Sequence, residues 1–276
     1  MSTDLGYFGP ASVTWRVLAD PTANIGGVRA LFLQALHPLA MAGVHEHSDF
    51  ATAFWPRLQR TAQYVTTVAY GTTEQADAAA ARVRALHDRV RGVDPVTGQR
   101  YAASDPELLR WVHATEVDSF VDTADRGGIG LDGAQLDTFL AEQVRAAELI
   151  GVPDVPSDRA ALAEYFRTIR PCLRSSPIAR SAAVRLAVPP MPLRVQLATP
   201  ARPLWTIIAG LGFALLPSWA RQLYGLPGLS ATDLAATRAL RAFRAAALRL
   251  PERWRYGPIL QDALARARDA EQPVSA

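Results

Sequence analysis

Five histidines, His37, His45, His47, His87 and His113, are the only imidazoles in the 276 residues, so metal chemistry has few nitrogen ligands to draw on. His87 has the most specific setting. Ala76, Ala80, Val83, His87 and Val90 recur at alternating steps of four and three, which is one face of a helix. Arg82, Arg84, Asp88, Arg89 and Arg91 fall elsewhere around it. An imidazole on an apolar stripe of small residues suits a flat macrocycle: a nitrogen for iron, with alanines leaving room for the ring. The same pattern also describes a core histidine bonded to a carbonyl, with alanines there for close helix packing.

Arg57, Arg60 and Thr61 form the second constellation, in Trp55-Pro56-Arg57-Leu58-Gln59-Arg60-Thr61. Offsets of three and four place all three on one side of a helix. Two guanidiniums and a hydroxyl aimed together can bind an anion or propionate, or stabilise charge building on dioxygen. They could equally be a solvated face, with Leu58, Tyr64, Val65 and Val68 as the buried side. His113 shares a helix side with Leu109, Glu116 and Phe120. A glutamate three residues on can orient the imidazole, although a satisfied core histidine reads the same way. His45 and His47, with His37 nearby, suggest a non-haem metal only weakly, because alternate residues on a helix do not share a face.

Other chemistries lack their residues. All 29 basic side chains are Arg, which removes Schiff-base lysine chemistry. No GxGxxG follows a strand, and no GxxxxGK[ST] or GxSxG element occurs. A net charge of +3, with Arg spread among acidic neighbours, gives no support for nucleic-acid binding. The lone Cys172, after Pro171, reads as a small buried hydrophobe in a chain expected to be cytoplasmic. The start, from Met1 to Pro10, lacks the basic and apolar regions of a secretory signal.

The elements that must position these residues read as helices throughout. Apolar periodicity and caps predict helices over Val28–Leu36, from about Phe50 to Tyr70 after a cap at Ser48 or Asp49, and from about Glu74 to Arg91. Ser104-Asp105-Pro106-Glu107 starts a helix running to about Asp125, ended by Gly127-Gly128. Further helices are expected at about Asp132–Ile150, Asp158–Arg174, Pro177–Ala187, Arg202–Leu215, Pro217–Tyr224, Ser230–Leu250 and Gly257–Asp269. No convincing series of strands appears. Leu204–Leu216 is the most apolar stretch, but its 13 residues fall short of the ~20 a membrane helix needs. It reads as a buried core helix, with membrane-surface docking as the alternative. Pro189-Pro190-Met191-Pro192 could be a linker, but apolar helices flank it, and one domain over residues 1–276 is expected.

Several segments, in order, resemble the rubber oxygenase (latex clearing protein)/MpaB-type oxygenase family. They are Ala35-Leu36-His37-Pro38 with Ala42-Gly43-Val44 and His47-Ser48; Arg57-Leu58-Gln59-Arg60-Thr61; His87-Asp88-Arg89-Val90-Arg91-Gly92; Tyr101-Ala102-Ala103-Ser104-Asp105-Pro106; and Leu108-Leu109-Arg110-Trp111-Val112-His113-Ala114. Leu215-Leu216-Pro217-Ser218-Trp219 and Tyr224-Gly225-Leu226-Pro227 complete the set, which covers residues 8–227 and leaves 228–276 as C-terminal helices.

The resemblance implies an all-α, globin-like bundle around haem b. It implies His87 as the axial iron ligand, with Arg57, Arg60 and Thr61 at the distal side, where the rubber cleavers carry Lys in place of Arg60. Their distal acid has no clear counterpart; Glu46 and Glu116 are the nearest options. The expected activity is a haem b-dependent oxygenase that uses dioxygen on a small hydrophobic molecule rather than on rubber, by oxygen insertion or C=C cleavage, with His113 lining the pocket. A non-catalytic haem carrier or sensor, and a helical scaffold without cofactor, are the alternatives.

Overall fold

The computed structural model describes residues 3–48, 53–152 and 154–271. The fold is all-α. In chain order the helices are α1 (Val13–Ala19), α2 (Thr22–Gln34), α3 (Pro38–His47), α4 (Phe54–Tyr70) and α5 (Thr73–His87). After a small hairpin come α6 (Pro106–Gly127), α7 (Gly133–Leu149), α8 (Arg159–Ile169), α9 (Pro177–Ala187) and α10 (Leu193–Ala198). The last are α11 (Ala201–Ala214), α12 (Ser218–Leu223), α13 (Ser230–Ala247), α14 (Glu252–Arg255) and α15 (Pro258–Glu271). The hairpin pairs β1 (Arg91–Val93) antiparallel with β2 (Arg100–Ala102), Gly92 opposite Tyr101.

Helix starts follow local chemistry. Thr72 and Gln75 close a capping box on α5, and Asp132 with Gln135 does so on α7. Asp105 and Ser176 cap α6 and α9, each ahead of a proline in the first turn. Pro56 falls in the first turn of α4, where its missing N–H costs nothing, so the helix runs undisturbed. The expected start at Phe50 and the Asp49 cap lie outside the described residues. Three expectations change. The segment expected to extend α5 to Arg91 instead turns at Asp88 and enters β1. The helix expected to reach Arg174 stops at Ile169, because Pro171 tightens the chain into a 3-10 turn over Arg170–Cys172. That turn leaves Cys172 exposed rather than buried.

The core is built on α2 packed along α6, with α11 on the other side of α2. Phe32, Leu33 and Leu36 meet Trp111, Val117, Phe120 and Phe139 there, all buried. A methyl at Gly26 would come within 2.8 Å of the Thr123 hydroxyl and 3.0 Å of the Phe120 ring, so glycine sets the approach of α2 to α6. Arg29 is buried in the same seam. Its Nε donates to the Leu215 carbonyl at 3.0 Å, and its Nη1 to Asp118 and Ser119, each at 2.7 Å. Arg221, also buried, donates to the Ala214 carbonyl at 3.0 Å, to the Leu216 carbonyl and to Asp233 at 2.8 Å, which fixes the turn from α11 into α12.

No single helix among the described residues is long and apolar enough to cross a membrane; one pair, α2 with α3, reaches that length and composition only across a 101° bend.

Candidate functional site

Two residues, Gly71 and Thr72, join α4 to α5, so the two helices form a hairpin. Near the turn the seam is closed: Val68 and Ala80 are buried with Leu149, and Tyr64 packs over them. Ala76 and Ala80 are buried, while Val83, His87 and Val90 are half-buried, so the stripe anticipated for His87 is the inner face of α5. Away from the turn the seam opens, with Arg60, Thr61, Arg84, Ala85 and Leu86 exposed.

His87 ends α5 at this open end. Burial holds its imidazole below the ordinary value, Arg57 pushes it the same way, and Asp88 pulls it up. The ring is therefore neutral near pH 7, with a nitrogen lone pair available. Arg57 is half-buried and its charge reaches His87, which places the two groups at the same end of the seam. Arg60 and Thr61 are exposed, and the Thr61 hydroxyl donates to the Arg57 carbonyl at 3.2 Å. The solvated reading thus describes Arg60 and Thr61, whereas Arg57 faces inward enough to act on the imidazole.

His113 is buried on α6. Its Nε2 has no hydrogen-bond partner, and burial alone lowers the ring to about 4. Glu116, one turn on, is raised to about 7 by burial alone. No hydrogen bond joins the two, so the expectation that Glu116 orients His113 is not met. Glu116 instead lines a cavity of about 20 Å³ with Tyr64 of α4, Gln143 of α7 and the apolar Phe8 and Val68. That is room for about one water, with three polar groups to hold it. Gln143 has no signal in its own sequence segment, whereas Tyr64 is expected on the buried side of α4. The larger cleft, about 280 Å³ among Arg16, Asp20, Arg244 and Arg255, contains none of these residues.

The remaining histidines do not assemble. His37 is buried as the α3 cap and accepts from the Ala40 N–H at 3.5 Å. His45 is exposed, and His47 meets the Arg91 carbonyl at 3.1 Å. Among the described residues no three His, Cys, Asp or Glu side chains gather as a metal site, so the weakly signalled non-haem trio finds no support. Glu46 accepts from the Tyr101 hydroxyl and so serves the contact between α3 and the hairpin.

A site in which one neutral imidazole stands at the open end of the seam, near an arginine, suits a planar iron cofactor held by one protein nitrogen more than a bare ion needing several ligands. No curated protein and no solved structure matches the chain significantly. The family model described as "ER-bound oxygenase mpaB/B'/Rubber oxygenase, catalytic domain" matches residues 15–248, which run from within α1 through α13 and include α4 and α5. The chain therefore belongs to the mpaB/rubber oxygenase family and carries its oxygenase catalytic domain, which makes it an oxidoreductase.

Proposed function

We propose that the protein is a haem b-dependent oxygenase that acts on a small hydrophobic molecule, by oxygen insertion or oxidative cleavage of a C=C bond. The observation that carries this reading is His87: neutral, half-buried, on the alanine face of α5 and under the charge of Arg57. The orphaned Nε2 of His113 adds to it, since a buried ring nitrogen without a partner is costly unless a ligand satisfies it. The residues present fit the cofactor, and His87 would hold its iron.

Haem iron, when bound, supplies the dioxygen-activating redox chemistry. The chain supplies binding, orientation and charge. Arg57 and Arg60 offer guanidinium donors to anionic groups at the open end of the seam. Thr61 presents an oxygen whose proton is engaged with its own helix, leaving its lone pairs outward as acceptors. His113, uncharged near pH 7, would offer a donor or acceptor at its unpartnered Nε2 without adding charge. Glu116 near its titration point can hold or release a proton at its carboxyl oxygen close to the inner end of α4.

The test is the visible absorption spectrum of protein purified with haem supplied, beside a His87→Ala variant. A Soret band that weakens or shifts in the variant is the expected result. Colourless protein in both cases would end the haem reading. The orphaned nitrogen of His113 also favours a second reading, a haem carrier closed by two protein ligands. That version requires a six-coordinate spectrum that opens on His113→Ala, with no oxygen uptake on any alkene.

A further inference from the structure

The chain carries no Asp or Glu between Glu164 and Asp233, while eight arginines fall in that interval. The charge mixing expected from the sequence as a whole therefore fails over this segment. Some of these charges are committed: Arg167 pairs with Glu164, Arg221 with Asp233, and Arg170 stacks on Trp219. Arg180 and Arg202 donate only to backbone, to the Ser175 carbonyl at 2.7 Å and the Pro189 carbonyl at 3.2 Å. Neither they nor Arg194 pairs with a carboxylate among the described residues.

The same segment exposes aliphatic side chains in helical pairs. Val184 and Val188 stand four apart on α9 and its end, Leu193 and Leu197 four apart on α10, and Leu204 and Ile207 three apart on α11. Leu193 and Leu197 are 68% and 79% exposed, which for leucine on a packed helix demands a reason. The inner faces are conventional: Trp205 and Ala209 of α11 are buried, and the Trp205 indole donates to the Leu186 carbonyl at 2.8 Å, which binds α11 to α9. The expectation of a buried core helix at Leu204–Leu216 thus holds for one side of α11 only.

We propose that α9, α10 and α11 form a docking face for the surface of an anionic lipid membrane. Aliphatic side chains beside the guanidiniums of Arg180, Arg194 and Arg202, with no acid among them, complement a bilayer that offers both hydrocarbon and anionic headgroups. A protein partner is disfavoured by the apolar composition, since protein interfaces set their arginines around exposed Tyr, Trp and Met anchors and hot spots under-represent Leu and Val. Here the exposed apolar groups are all Val, Leu or Ile. Docking is peripheral, because no helix in the segment is long enough to span.

The face adjoins the candidate site. The Trp55 indole donates to the Pro190 carbonyl at 2.7 Å, and the Trp55 and Phe54 rings lie 4.9 and 5.8 Å from Trp205. Arg57 follows two residues later. A lipophilic substrate dissolved in the bilayer would then meet the α4–α5 seam from the membrane. That use rests on the oxygenase reading; the docking itself does not.

The test is co-sedimentation with vesicles of phosphatidylcholine alone and of phosphatidylcholine with phosphatidylglycerol, at low and high salt. Binding is expected on the anionic vesicles, weakened by salt. A Leu193→Asp, Leu197→Asp double variant should bind at least tenfold more weakly, and Arg194→Gln with Arg202→Gln should lose binding to anionic vesicles alone. Circular dichroism of each variant checks that the fold is intact. Absence of binding, or binding that neither pair of substitutions changes, overturns the proposal. So does a dimer in analytical ultracentrifugation that Leu193→Asp, Leu197→Asp dissolves, with no vesicle binding, since a second copy would then cover the face. Colourless protein that still binds vesicles would sink the haem reading and leave the docking face standing.

Discussion

His113 and Glu116 stand one turn apart on α6, and each titrates as though the other were absent. Burial is the sole cause acting on either group, driving the imidazole down to about 4 and the carboxyl up to about 7. Both are neutral over most of the interval between, the histidine having refused a proton and the glutamate having kept one.

Their effects on stability therefore oppose. Between its ordinary value near 4.5 and about 7, Glu116 holds a proton in the folded state that the unfolded chain has released, so its contribution is lost as pH rises through that window. Between 6.5 and about 4 the unfolded chain takes up a proton that folded His113 refuses, so its contribution is lost as pH falls. His37 and His87, also lowered by burial, add to the acid-side loss. Denaturant titrations of Glu116→Gln should show stability that rises from pH 5 to 7 more steeply than in wild type, because the opposing loss is removed. His113→Gln should blunt the decline on the acid side. Each change is on the order of 2 kcal/mol at the end of its window. Parallel curves for wild type and both variants would contradict the assignment.

Arg57 and His87 are coupled through charge. In protein prepared without haem, Arg57→Ala should raise the titration midpoint of His87, and Asp88→Asn should lower it, because the arginine disfavours the imidazolium and the aspartate favours it. Imidazole proton chemical shifts followed with pH would report both. A midpoint unmoved by Arg57→Ala would separate the two residues and weaken the seam as a joint site.

Removing the buried guanidinium of Arg29 should destabilise the fold strongly. Arg29→Met leaves Asp118 without its cation, Asp122 with Arg126 alone and the Leu215 carbonyl without its donor, a change of about 3–5 kcal/mol. A denaturation midpoint close to that of wild type would show that α2, α6 and the end of α11 are held by apolar packing alone.

The helices were legible where their signals are local. The Thr72 and Asp132 capping boxes and the Asp105-Pro106 and Ser176-Pro177 starts lie within a few adjacent residues, so sequence alone locates them. The β1–β2 hairpin was not, because three-residue strands are too short to show alternation. The seven residues of α1 were missed for the same reason of length. The His87 stripe could be read because it belongs to one helix. The cavity of Tyr64, Glu116 and Gln143 draws on three helices, and no periodicity within any of them reports their meeting. Spacing places Arg57, Arg60 and Thr61 on one side correctly, but their different exposures depend on what packs across that side.

The outward turn at Cys172 gives the molecule a single chemical handle. It is the only thiol in the chain, it is exposed, and it stands at the head of the acid-free segment. Preparations kept without reductant are expected to couple through it into covalent pairs, which would imitate self-association. Once protected, the same sulfur accepts one maleimide dye per molecule beside the docking face, where the emission colour of an environment-sensitive label registers arrival at a bilayer.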